Sequence, residues 1–403
     1  MNVIKPTIPL AILFSSLFLF SCKKENQDIA QNHFASIEND TFVKVAPFNL
    51  KLSTLDPEYV NKKRNSIEKF YQANWGPAGM NGSFLVAKNG QIIYEKYEGQ
   101  ADFKNNSEIT AHTPIHIASV SKVLTATAIL KLIDAQKISL NQTVNSILPT
   151  FPYARITIRT LLNHRSGLPN YAYFTDDKKV WNQRKMMNNQ DVLDLLSTYK
   201  FGLLSKPDTH FNYCNTNYVI LALVIEKITG LNYREAMKKM IFDPLEMNDT
   251  FVYDFDRDGI NTSQSYKGNK LRYDINYLDN IYGDKNIYAT PRDLLKFDMA
   301  TYAPEFLNPE LVAAVFKGYS YERRGDRNYG LGIRMLEWDS GEKMFYHNGW
   351  WHGNTSSYVK LKQDTVTVIS LSNKYTLKTY KVRNLAVIFG NYPLKLDKNE
   401  MEE

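Results

Sequence analysis

The chain reads as an α+β fold, with an antiparallel sheet built from both chain ends, flanked by helices, and a helical lobe inserted between them. Three observations predict it. Strand patterns occupy residues 83–97 and return at residues 329–371. Asn89-Gly90 joins the first two as a tight hairpin. The middle third, to about Ala300, is mostly helical patterns and loops.

Taken in order, residues 23–55 are polar and aperiodic, as a tether would be. A helical pattern runs from Pro57 to Asn74, with Pro57 near its start and Gly76-Pro77 beyond its end. Ser83–Lys88 and Gln91–Tyr97 flank the hairpin turn. A helical run follows from Ser119 to about Ala135, its apolar face carried by Val123, Leu124, Ala126, Ile129 and Leu130. Strands are expected at Tyr329–Leu336, Met344–His347, Ser356–Leu361 and Val366–Leu371, and an amphipathic helix at about Tyr380–Phe389.

The 403 residues carry 49 basic and 42 acidic side chains, and 43% are apolar. That is globular usage, neither disordered nor charge-driven. Lys and Arg are scattered among acids instead of gathered on a stripe, which argues against a nucleic-acid partner. The mild positive charge suits proximity to anionic envelope polymers but names none. No signal bears on the oligomeric state.

Two cysteines exclude a disulfide framework. The first closes an apolar stretch, Ile8 to Phe20, that is shorter than the ~20 residues needed to span a bilayer and so reads as a secretory signal. Leu19-Phe20-Ser21-Cys22 resembles the lipobox of bacterial lipoproteins. That resemblance implies removal of residues 1–21 and a lipid on Cys22, with the protein held to a membrane of the cell envelope on its periplasmic or extracellular face. The alternative is an uncleaved anchor with an incidental cysteine. The expected organisation is signal 1–21, tether 22–55 and a two-lobed body 56–403.

Ser119-Val120-Ser121-Lys122 sets a hydroxyl and an amine three residues apart, on one face if a helix opens there, with backbone N–H groups free at the helix start. A serine hydroxyl becomes a useful nucleophile only when a base takes its proton, and a lysine can be that base. The four-residue pattern alone is unspecific, since it begins at Ser21, Ser66, Ser197, Ser340 and Ser357 as well. Locally, Ser119 could equally cap a helix above a solvated Lys122. His112 and His116 are four apart, but Pro114 between them breaks a regular helix face, and no metal or cofactor is expected.

Tyr213-Cys214-Asn215 follows Ser119 by 94 residues, and His347-Asn348-Gly349 follows by another 134. With the serine tetrad these resemble, in order, the three signatures of the serine β-lactamase and penicillin-binding-protein superfamily, most of all its class C β-lactamase, D-alanyl-D-alanine carboxypeptidase and esterase branch. Leu161-Leu162-Asn163-His164-Arg165-Ser166-Gly167-Leu168, Tyr329-Gly330-Leu331-Gly332 and Thr290-Pro291-Arg292-Asp293-Leu294 are similar to further segments of that branch. The resemblance spans roughly residues 80–375 and implies the β-lactamase/transpeptidase-like fold.

It also implies roles. Ser119 is transiently acylated, Lys122 accepts or relays its proton, and Tyr213 acts as base and returns a proton to the leaving group. Asn215 holds Lys122 and the substrate amide. The backbone N–H groups of Ser119 and of Trp350, after Gly349, form the oxyanion hole. The segment at Asn163–Leu168 is a turn beneath the site, and Cys214 is a buried filler.

The third motif departs from the Lys-Thr-Gly of class C β-lactamases, because His347 is largely neutral above pH ~6.5 where lysine is a permanent cation. Slow or absent β-lactam turnover is therefore expected. Trp350 and Trp351 suggest an aromatic wall beside the acyl pocket. The resulting expectation is an exported serine hydrolase of small-molecule esters or peptidoglycan-like peptides. Its rival is a catalytically silent fold kept as a cell-wall or partner-binding module.

Overall fold

Asp56 starts the first helix, α1 (Pro57–Trp75), by accepting from the backbone N–H groups of Glu58 and Tyr59, and Gly76 ends it with φ of 55°. In this computed structural model residues 48, 50, 52–255, 258 and 262–395 are described. The expected signal, Cys22 and most of the tether lie outside them. Of the tether, Phe48, Leu50, Leu52 and Leu55 pack on the folded body. Among the described residues, no helix is long and apolar enough to cross a membrane.

The hairpin forms as expected, from β1 (Gly82–Lys88) and β2 (Gln91–Glu98), with φ of 52° at Asn89 and 74° at Gly90. Short strands follow: β3 (Gln100–Asp102) pairs with β4 (Ser107–Glu108), and β5 (Ile115–His116), β6 (Phe251–Val252) and β7 (Ile287–Ala289) make a three-stranded sheet. The C-terminal part supplies β8 (Arg327–Tyr329), β9 (Arg334–Glu337), β10 (Lys343–Trp351), β11 (Asn354–Leu361) and β12 (Val366–Ser372). These join the hairpin in one antiparallel sheet of order β2-β1-β12-β11-β10-β9-β8. β1 of the N-terminal half thus lies against the last strand, Gly82 opposite Ser372.

Both faces of this sheet are covered at its centre, so β11 and β12 are buried throughout instead of alternating. Phe84, Val86, Val359 and Val368 face α1 and the C-terminal segment, while Leu85, Ala87, Ile369 and Leu371 face the helical lobe. Three helices of that lobe position the site: α2 (Ser121–Asp134), α3 (Thr216–Thr229) and α4 (Pro291–Ala300). α4 is capped by Thr290, whose side chain accepts from Asp293 N–H.

Two elements differ from expectation. The single strand expected at 329–336 is two, because the chain turns at Gly330-Leu331-Gly332. Gly332 has φ of 91°, and a Cβ there would lie 2.3 Å from that of Ala126, so glycine lets this turn reach the nucleophile helix. The terminal helix, Lys378–Ile388, is a 3₁₀ helix. Its buried Thr379, Val382 and Leu385 recur every three residues, the period of that helix.

Candidate active site

β5 delivers the chain to Ala118, which is fully buried and held at φ of 47°, a conformation costly for a residue with a Cβ. His116 props this turn. Its Nδ1 accepts the Ala118 N–H at 3.1 Å, so Nε2 carries the proton and donates to Asn286 Oδ1 at 3.0 Å. Burial, with the Lys285 charge behind it, pushes the imidazole pKa down to about 4. Ser119 follows in a 3₁₀ turn, Ala118–Val120, that leads into α2.

One turn on, Lys122 is fully buried, with Nζ 3.0 Å from Ser119 Oγ and donating to the Asp284 carbonyl at 2.8 Å. Asp284 is itself fixed. Tyr171 Oη donates to Asp284 Oδ2 at 2.8 Å, and the buried Lys285 Nζ donates to Tyr171 Oη at 2.6 Å while lying 3.5 Å from Asp284 Oδ1. Burial lowers the pKa of Lys285, with Asp284 opposing that shift.

Tyr213 and Asn215 precede α3. The Lys122 ammonium lies 5.3 Å from the centre of the Tyr213 ring, and the Arg334 guanidinium stacks on that ring at 4.5 Å. His164, at φ of 55°, packs its ring 4.4 Å from that of Tyr213, and its Nδ1 accepts from Cys214 N–H at 3.2 Å and Asn217 Nδ2 at 3.0 Å. The turn at Asn163–Leu168 is therefore what holds the tyrosine segment. Among the described residues Asn215 makes no hydrogen bond to Lys122, and its Oδ1 is buried without a partner. The Asp284 carbonyl holds the lysine instead. Cys214 is buried and free, and burial raises its thiol pKa.

The third motif lies on β10. A Cβ on Gly349 would sit 2.5 Å from the Ile117 carbonyl and 2.9 Å from Ser119 N, so only glycine lets this strand abut the nucleophile turn. His347 is fully buried. Its Nδ1 donates to the Asn348 carbonyl at 2.9 Å, which leaves Nε2 to accept from Tyr329 Oη at 3.1 Å. Burial and the Arg334 and Lys122 charges hold it neutral, well below the usual histidine pKa.

Trp350 follows Gly349 with its side chain 61% exposed and its Nε1 bonded to the His352 carbonyl at 2.8 Å. Trp351 turns the other way. Its Nε1 donates to Asp279 at 2.7 Å, and Lys285 lies 4.5 Å from its ring. The pair therefore does not form one continuous wall. His112 pairs with Asp249 at 2.8 Å, away from His116.

His116, Arg334, Asp284, Lys285 and Tyr171 are the site residues that sequence reasoning missed. Only His116 was visible, as the residue three before Ser119.

Buried neutral histidines make stability depend on pH. His116, His164 and His347 all have folded pKa values below the unfolded value of ~6.5. As pH falls below ~6.5 the unfolded chain takes up protons that the folded chain refuses, so stability is full above that pH and is lost on acidification. His116 alone contributes about 3 kcal/mol by the time pH reaches its folded value of about 4. Urea midpoints at about pH 7.5 and about pH 5 should differ sharply. Equal midpoints would contradict the buried neutral assignment.

The arrangement can do nucleophilic chemistry: a hydroxyl, a buried amine in contact with it and a phenol beside that amine. Comparison with known proteins gives the family. The Beta-lactamase family profile matches residues 72–390. The chain is 30% identical over 331 residues to "Penicillin-binding protein 4*" of Bacillus subtilis, covering 77% of this chain and 72% of that one. It is 30% identical over 292 residues to "Teichoic acid D-alanine hydrolase" of Staphylococcus aureus, covering 70% of this chain and 68% of that one. The solved penicillin binding protein from Bacillus halodurans superposes with a TM-score of 0.68 at 22% identity, covering 81% of this chain and 99% of that chain. With the profile matching most of its folded body, this chain belongs to the Beta-lactamase family.

Proposed function

We propose that this protein is an exported, lipid-anchored serine hydrolase that forms an acyl-enzyme on Ser119 and cleaves a D-alanyl-type ester or amide at the cell envelope. The observation that carries the reading is the 3.0 Å contact between the fully buried Lys122 Nζ and the half-buried Ser119 Oγ, made while a carbonyl pins the other side of the amine. In its neutral form Lys122 keeps one N–H on the Asp284 carbonyl and turns its lone pair to the serine. As Oγ bonds to the acyl carbon and the carbonyl π pair moves onto oxygen, the Ser119 proton passes to neutral Lys122, which hands it to Tyr213 once the phenol has given its own proton to the leaving atom. The tetrahedral oxyanion forms against the N–H groups of Ser119 and Trp350. Tyr213 protonates the leaving oxygen or nitrogen as its bond to carbon breaks. Water, deprotonated by the same pair, then releases the acid and restores Ser119.

The relatives support the substrate class, one by name a teichoic acid D-alanine hydrolase and one a penicillin-binding protein. Cys22 is the proposed lipid attachment point. β-Lactams fit poorly, because His347 is neutral and sealed behind Tyr329, so this motif offers no cation to their carboxylate. Purified protein assayed against p-nitrophenyl esters, D-alanyl peptides and nitrocefin should turn over an ester or peptide and be slow on nitrocefin. Rapid nitrocefin hydrolysis, or inactivity on every ester and peptide, would overturn the reading.

A further inference from the structure

Beside Tyr213 opens a cavity of about 690 Å³ lined in part by five arginines. Arg323 and Arg324 come from the segment leading into β8, Arg327 from the first position of that strand, Arg334 from β9 and Arg383 from the C-terminal 3₁₀ helix, so three separate parts of the chain converge on it. Two carboxylates face these five charges. One of them, Glu322, is committed to Arg165 at 2.9 Å and to the Phe211 N–H, which leaves Asp326. Among the described residues, none of the five arginines makes an ion pair with a carboxylate.

Like charges gathered without counterions repel one another, and such a lining attracts an anionic ligand. One carboxylate would occupy one guanidinium fork. A chain bearing phosphates presents paired oxygens repeatedly and can engage several forks at once, each bidentately. We propose that this cavity binds a segment of a phosphate-bearing polymer. Arg334 touches both the cavity and the Tyr213 ring, so the bound segment abuts the group assigned to protonate the leaving atom. Placing the polymer on the leaving-group side rests on the hydrolase reading; the binding itself does not.

Binding of end-labelled short inorganic polyphosphate to full-length Ser119→Ala protein, followed by fluorescence anisotropy, tests this without turnover. Wild type and Ser119→Ala should bind alike, and more weakly as salt rises. Adding Arg323→Gln, Arg324→Gln and Arg327→Gln should weaken binding by about tenfold or more. In wild-type Ser119 background these changes should leave p-nitrophenyl acetate turnover within about twofold, since the three exposed side chains lie off the nucleophile. Arg383→Gln, on the C-terminal 3₁₀ helix, should weaken binding independently if the triple variant fails to fold. Unchanged affinity in these variants would overturn the proposal, as would equal affinity for polyglutamate of matched charge. A protein that binds polyphosphate this way but hydrolyses nothing keeps the cavity and loses the hydrolase. The reverse result keeps the hydrolase alone.

Discussion

Ser119→Ala should lower kcat/KM on the best ester by about 10⁴-fold or more, because it removes the atom proposed to form the acyl-enzyme. The change should cost little stability. Ser119 is half-buried, and its hydroxyl engages only Lys122 among the described residues. Circular dichroism and the thermal midpoint should therefore stay near wild type while turnover disappears. Loss of activity together with loss of fold would not count as support.

Lys122→Met is expected to have the second largest effect. Methionine fills the volume of the lysine stem without an amine, so the Asp284 carbonyl loses its donor and Ser119 the amine proposed as its base. General-base loss is typically worth about 10²–10⁴ in kcat. Because serine and lysine act as one unit, the double variant Ser119→Ala/Lys122→Met should be no slower than Ser119→Ala alone. An additive double variant would mean that Lys122 acts somewhere other than on Ser119.

Much of this was legible in the sequence because the relevant physics is local. Asn89-Gly90 dictates its hairpin, Pro57 and Gly76 bound their helix, and the serine tetrad sits where a buried helix begins. His347 could be read as a poor cation from its residue type alone, and burial then pushes its pKa well below the usual histidine value. What was not legible is assembled by topology. Arg334 reaches Tyr213 only because β9 lies beside β10, and Asp284 holds Lys122 across a separation of 162 residues by a backbone carbonyl, which no side-chain pattern encodes. His116 stood in plain view beside the nucleophile. Its role needed the φ of 47° at Ala118, which only the folded chain shows.

The terminal 3₁₀ helix is a period-three pattern that a helical wheel reads as α. The break at Gly330-Leu331-Gly332 was masked by apolar residues continuing through it, and the close approach to Ala126 is a tertiary demand.

Ser119 Oγ is the proposed nucleophile. Wild-type protein incubated with a fluorophosphonate and analysed by intact mass, then by peptide mapping, should carry a single phosphonyl group on the peptide containing Ser119, with none on Ser119→Ala. Equal labelling of the two proteins, or a label mapped to any other serine, would contradict it.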